Sequence, residues 1–212
     1  MTPIELYTYQ TPNGHKASIM LEEAGLPYSV RVVDIEKGEQ TKPDFLALNP
    51  NNKIPVIVDK DAGRTVFESG VILRYLAHRS GKFQPASDHE ADDVLTWTLF
   101  QAAHVGPTLG QLWNYKIFAP EKISTVIDRF ERETGRVFRV LDGQLKNHEH
   151  IVGGTYGIAD MMTWPWIHAA VTKLGLTLDH SSHLARWYAA VGRRPAVIRG
   201  IAIPALPQAS AA

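Results

Sequence analysis

Three short stretches of this chain place polar groups where they can hold a charged, extended ligand. The first is Thr11-Pro12-Asn13-Gly14, a turn between an alternating strand, Ile4 to Tyr9, and a helix. Ala17, Ile19, Met20, Leu21 and Ala24 predict that helix from His15 onward, closed by Gly25 and Pro27. Thr11 and Asn13 therefore stand at a helix start. Both can donate hydrogen bonds to a sulfur anion, and the helix end adds partial positive charge; both effects lower a thiol pKa. Capping the same helix is compatible with that role. The second stretch is Asn49-Pro50-Asn51-Asn52-Lys53-Ile54-Pro55-Val56-Ile57, in which a proline opens a strand after a polar turn. A cis Ile54–Pro55 bond turns the N–H and C=O of Ile54 outward, ready to pair with an extended peptide as an added strand. On this segment alone, an ordinary trans proline at a sheet edge is the favoured reading. The third is Phe67-Glu68-Ser69-Gly70, where a strand meets a helix. Ser69 can cap that helix, the N–H groups beyond it can bind a carboxylate, and Glu68 can hold an ammonium group. Together they suit the α-amino-acid end of a γ-glutamyl group, although a plain N-cap also explains Ser69.

The elements that must position these groups follow the order β-α-β-α-β-β-α over residues 4–79. Tyr28 to Asp34 alternates as a second strand, and a polar loop, Glu36 to Lys42, leads to a short helical stretch at Phe45 to Leu48. Pro55 to Asp59 and Arg64 to Phe67 form a hairpin across Asp61-Ala62-Gly63, and Ser69 to Arg79 is a helix. Strands separated by helices favour a partly parallel sheet, which the closing hairpin extends with antiparallel strands. Gly81-Lys82-Phe83-Gln84-Pro85 reads as a linker. Beyond it the helical spacing covers Glu90 to Tyr115, Pro120 to Asn147, Ile158 to Leu174 and Leu184 to Val191. Pro120 suits a first helical turn, while Gly106 and Pro107 weaken a helix interior and let it bend. The expectation is an α/β domain, residues 1–81, followed by an all-α domain, residues 87–212. The Ala-rich C-terminal tail is expected to be disordered.

Composition removes several classes of function. The 212 residues carry 22 Lys plus Arg against 22 Asp plus Glu, so no net charge draws nucleic acid or anionic membranes. With 44% apolar and 21% charged residues the chain is an ordinary globular sequence. It contains no cysteine, which excludes disulfides, Cys-ligated zinc and any thiol nucleophile of its own. No signal peptide or membrane span is visible, and a cytoplasmic location is expected. The nine histidines show no HExxH spacing; His148 with His150, or His180 with His183, read as solvated loop histidines rather than metal ligands, and no metal is expected.

Taken jointly, the proline-started strand, the Glu-Ser at a helix start, the element order and the helical second half resemble the cytosolic glutathione transferase superfamily over nearly the whole chain. The resemblance implies a thioredoxin-like N-terminal domain, an all-α C-terminal bundle, a cis Pro55, and a Glu68-Ser69 pair that binds the γ-glutamyl end of glutathione. Tyr156-Gly157-Ile158-Ala159-Asp160 resembles the superfamily's helix-capping motif, with Gly157 in place of the usual Ser or Thr. More narrowly, Thr11-Pro12-Asn13-Gly14-His15-Lys16, Asn51-Asn52-Lys53-Ile54-Pro55 and Gly106-Pro107-Thr108-Leu109-Gly110-Gln111 resemble the Nu-class, Ure2p-like branch, whose bacterial members are glutathione-dependent disulfide-bond oxidoreductases.

That resemblance assigns the thiolate of bound glutathione, reduced or oxidised, to Thr11 and Asn13. It favours them over Tyr9, since Tyr7 and Tyr9 share one strand face and can be core. Gln40 is implied for the glycyl end, with Lys53 beside it. Arg136, on a helix from Ile127 to Leu141, is a candidate to reach the ligand from the facing subunit of a homodimer; a solvated arginine on the helix surface is the other reading, and Arg129 and Arg132 are neighbours that compete for the assignment. Trp97, Phe100, Trp113, Tyr115, Phe118, Trp164 and Trp166 are candidates either for core or for an apolar co-substrate pocket. Because the chain has no thiol, a disulfide reductase of this kind must take both thiols from glutathione, so its partners are small thiols and disulfides. Conjugation of glutathione to electrophiles is the alternative reaction, and a non-catalytic glutathione-binding module the second alternative.

Overall fold

The computed structural model describes residues 3–205; the Ala-rich tail beyond them lies outside the described residues. Strand β1, Ile4–Thr8, is followed by α1, Pro12–Ala24, and by β2, Tyr28–Val32, which pairs parallel to β1. Thr11 starts α1 by accepting the Gly14 N–H on its Oγ1 at 3.1 Å, with Pro12 in the first turn, where a missing N–H costs nothing. The helix therefore begins three residues before His15, since the cap-and-proline signal outruns the apolar spacing. After a single tight turn, Glu39–Thr41, and the short α2, Pro43–Leu46, comes β3, Val56–Asp59, antiparallel to β1. β4, Arg64–Phe67, closes the hairpin, and α3, Ser69–Ser80, follows. The sheet order β2-β1-β3-β4 is the mixed sheet expected of a thioredoxin-like domain. Ile4, Leu6, Met20, Leu21, Ile57, Ile72, Leu73 and Leu76 are fully buried and make its core.

The chain divides into two compact units, Pro85–Arg193 forming one and Met1–Gln84 with Arg194–Ala212 the other. A helix that the apolar spacing leaves unread, α9, Pro195–Ile201, thus belongs with the sheet unit, although a sequence boundary at residue 87 assigns it to the helical half. It lies on α1. Ser18 donates from Oγ to the Gly200 carbonyl at 2.7 Å, and Arg194 and Arg199 pair with Glu23 and Glu22. The close approach requires Gly200: a Cβ there would meet the Ile19 backbone at 2.7–2.8 Å.

The second unit is all-helical among the described residues. α4, Asp88–Phe100, is capped by Ser87 and runs on through a widened turn, Gln101–Val105, into α5, Gly106–Trp113, and a second widened turn, Asn114–Phe118. Pro107 therefore does not end the helix. The π-type turn just before it relieves the clash that a proline ring makes with the preceding turn. α6 is Ser124–Leu145, so Pro120 stands outside it, correcting the placement of that proline in a first turn. α7, Ile158–Thr172, and α8, Ser182–Gly192, complete the unit. Gly157 starts α7 without a side-chain oxygen, and Asp160 takes over. Its buried carboxylate accepts the N–H groups of Gly157 at 3.0 Å and Ile151 at 3.1 Å and the Trp187 indole N–H at 2.6 Å. Trp164 and Trp166 are core, whereas Trp97, Phe100, Trp113 and Tyr115 are half-buried and Phe118 is 69% exposed, stacked on Trp113.

Candidate functional site

Strand register brings the candidate residues of the sheet unit to one edge. Tyr7, Val56 and Phe67 lie in one row across β1, β3 and β4. The next step along each strand reaches Thr8, Pro55 and Glu68, and Thr8 also pairs with Val32 of β2. The turn to α1, the entry to β3 and the start of α3 therefore share this edge. From β1 to β4 is two strand spacings, roughly 10 Å, about the length of an extended tripeptide.

The Ile54–Pro55 bond is cis, as expected. The ladder begins at Val56, so the N–H and C=O of Ile54 lie beyond its end. The loop that delivers them is held by a residue sequence reasoning passed over. Asn49 is 2% exposed; it donates from Nδ2 to the Lys53 carbonyl at 2.7 Å and accepts the Asn51 N–H at 2.9 Å. An asparagine that opens a turn ahead of a strand was the available signal. Lys53 itself is exposed.

Glu68 precedes α3 with φ 67° and ψ 115°, backbone that a side-chain-bearing residue adopts only under strain. The distortion leaves its carboxylate exposed beside the first turn of α3. Ser69 is the first residue of that helix rather than its cap, so its hydroxyl and the first-turn N–H groups face the same end. Lys16 of α1 also reaches this helix start, with Nζ 3.5 Å from Ser69 Oγ.

At the other end of the row, Thr11 Oγ1 uses a lone pair on Gly14, which leaves its O–H to donate. Asn13 is half-buried in the same first turn. Gly14 permits this turn to sit against β1, because a Cβ would collide with the Tyr9 carbonyl and Thr8 Oγ1. Tyr9 is 8% exposed; burial, with Asp34 beside its hydroxyl, raises its pKa. Its hydroxyl is engaged with Asp34. Gln40 sits in the tight turn after β2, donates to the Ile35 carbonyl at 3.4 Å, and keeps a buried Oε1 with no donor among the described residues. Arg136 lies on α6 in the other unit, where its guanidinium grips the Glu133 carboxylate at 2.7–3.0 Å. Among the described residues no three groups are clustered to hold a metal, and no helix is long and apolar enough to cross a membrane.

A mixed β2-β1-β3-β4 sheet with a cis-proline entry, joined to a helical unit, defines a glutathione transferase-type chain. Models of the glutathione S-transferase N-terminal and C-terminal domains match residues 11–79 and 96–195. The chain belongs to the glutathione S-transferase family. It is 41% identical to the disulfide-bond oxidoreductase YfcG of Escherichia coli strain K12, over 91% of this chain and 92% of that protein. It is 39% identical to the disulfide-bond oxidoreductase YghU of the same strain, over 93% of this chain and 74% of that one. Among solved structures, it superimposes with a TM-score of 0.92 on a glutathione transferase from Burkholderia graminis that holds two glutathione molecules per subunit. That match has 38% identity and covers 96% of this chain and 89% of the other. A glutathione transferase from Pseudomonas putida with one glutathione disulfide per subunit gives 0.91, with 36% identity over 96% and 92% of the two chains.

Proposed function

We propose that this protein is a disulfide-bond oxidoreductase that takes both of its reducing thiols from glutathione. The observation that carries the reading is the absence of any cysteine from a chain so similar to two disulfide-bond oxidoreductases. The thiolate of a first glutathione, stabilised by the Thr11 hydroxyl, Asn13 and the start of α1, attacks one sulfur of the substrate disulfide. An S–S bond forms to glutathione, and the substrate's other sulfur leaves as a thiolate that takes a proton. A second glutathione thiolate then attacks the glutathionyl sulfur of the mixed disulfide. Glutathione disulfide forms and the second substrate thiol departs. Two glutathiones are oxidised and one disulfide is reduced, so electrons balance without a protein thiol.

In this reading Ile54 pairs with the cysteinyl backbone, Pro55 fixes the entry to β3, and Glu68 and Ser69 take the γ-glutamyl ammonium and carboxylate. Gln40 and Lys53 take the glycyl end: the unfilled Gln40 Oε1, an acceptor, suits the glycyl N–H, and the Lys53 ammonium suits the carboxylate. Arg136 reaches the ligand across a homodimer once it leaves Glu133. Exposed apolar side chains support association: Val71 in the sheet unit, Leu95 and Leu99 one turn apart on α4. Dependence on reduced glutathione suits the cytoplasm.

Parallel assays with hydroxyethyl disulfide and chlorodinitrobenzene test the reading. Turnover of the disulfide should exceed that of the halide; turnover of the halide alone would make the protein a conjugating transferase. Tight glutathione binding without either activity would make it a binding module.

A further inference from the structure

Lys16 closes the Thr11 to Lys16 motif and has no role in the reaction described above. It is 2% exposed, on a helix whose other faces meet the sheet and α9. A lysine of this length normally carries its ammonium to water along its stem. Here the ammonium stays inside, 3.5 Å from the hydroxyl of Ser69. A carboxylate accepting a hydrogen bond from Ser69 would stand roughly 4–6 Å from that ammonium, within the range where opposite charge acts strongly.

Among the described residues, these charged and titratable groups lie on the elements packed against Lys16. From α3, Glu68 acts on it. β1 turns Thr8 toward α1, and by alternation Leu6 and Ile4 with it, leaving Glu5 and Tyr7 on the far face. From α9, Arg194 and Arg199 are taken by Glu23 and Glu22 farther along α1. On α1 itself, the His15 ring meets Gln10.

We propose that Lys16 is the positioning cation for the γ-glutamyl α-carboxylate, acting through Ser69 and taking up a proton when that carboxylate binds. This rests on Glu68 and Ser69 being the γ-glutamyl seat. Burial lowers the Lys16 pKa to about 7, with Glu68 opposing the shift. At neutral pH and above, much of the unliganded protein then holds Lys16 neutral. An arriving carboxylate favours the ammonium, so binding draws in a proton and weakens as pH rises through and above 7.

Titration calorimetry of the full chain with S-methylglutathione tests this, because the blocked sulfur removes thiol ionisation. At about pH 7.5, in two buffers of different ionisation heat, uptake of roughly half a proton is expected. An analogue with 4-aminobutyrate in place of the γ-glutamyl residue lacks the α-carboxylate. It should bind roughly tenfold more weakly and draw in no proton. A glutaryl analogue, which lacks only the amine, should keep the uptake and so exclude the ligand's amino group as its source. In Lys16→Met the affinity for S-methylglutathione should fall about tenfold and the uptake vanish, while the 4-aminobutyryl analogue binds as it does to the native protein. Weaker binding of the 4-aminobutyryl analogue without any uptake from S-methylglutathione would overturn the role of Lys16 and leave the seat intact. Equal binding of all three ligands would remove the seat, and the proposal with it.

Discussion

At the scale of single residues, Thr11 combines two tasks in one hydroxyl. Its oxygen accepts from Gly14, and in the proposed reaction its hydrogen donates to the glutathione sulfur anion. Thr11→Ala removes both. Stability should fall by about 1 kcal/mol for the lost cap. Loss of one hydrogen bond to a charged sulfur should lower disulfide turnover roughly tenfold to a hundredfold. The apparent thiol pKa in the pH–rate profile should rise, because the thiolate loses a donor. Thr11→Ser should restore both properties. Unchanged turnover in the alanine variant, with only the stability loss, would reduce Thr11 to a cap. The backbone of Glu68 belongs to this scale as well. No residue type announces a positive φ at a glutamate; the strain arises where the end of β4 must swing into α3.

At the scale of elements, two helix placements rest on identifiable contacts. α7 starts at a glycine, and the buried Asp160 carboxylate gathers three N–H donors in compensation. Asp160→Ala would strand these donors, with an expected loss of about 3 kcal/mol or more in chemical denaturation. A loss within the range of ordinary surface substitutions would contradict that assignment. α9 is held on α1 by close backbone approach at Gly200. Gly200→Ala forces the helices apart at Ile19 and should cost about 1–3 kcal/mol. Hydrogen exchange should locate the added opening in α9 and the facing part of α1, rather than in the helical unit.

For the whole molecule, the cysteine-free reaction requires room for two sulfurs. Calorimetry should therefore give two reduced glutathiones, or one glutathione disulfide, per subunit, as in the Burkholderia graminis and Pseudomonas putida relatives. A single reduced glutathione with no affinity for the disulfide would count against the exchange mechanism. Light scattering should report a dimer. Leu99→Glu, which places a charge among exposed apolar residues of α4, should shift it toward monomer without unfolding it.

The sequence by itself determined the class of elements and the local turns and helix starts that carry the candidate site. Alternation, helical spacing and turn residues act locally, and so Thr11, Asn13, Ile54, Pro55, Glu68 and Ser69 are legible as a proline-started strand and two helix starts. Other features depended on contacts between residues far apart in the chain. Pro120 satisfies a local rule for helix starts, yet α6 begins at Ser124. α9 is too short for its spacing to mark it, and it buries against α1, which lies far from it in the chain. Asn49 reads as one more turn residue until its burial and its hydrogen bond to the Lys53 carbonyl are seen. Lys16 carries no sign of burial in its local sequence. Only the packing of α1 against α3 decides that its ammonium ends in the interior beside Ser69, because burial is a property of the assembled layers and not of any window of sequence.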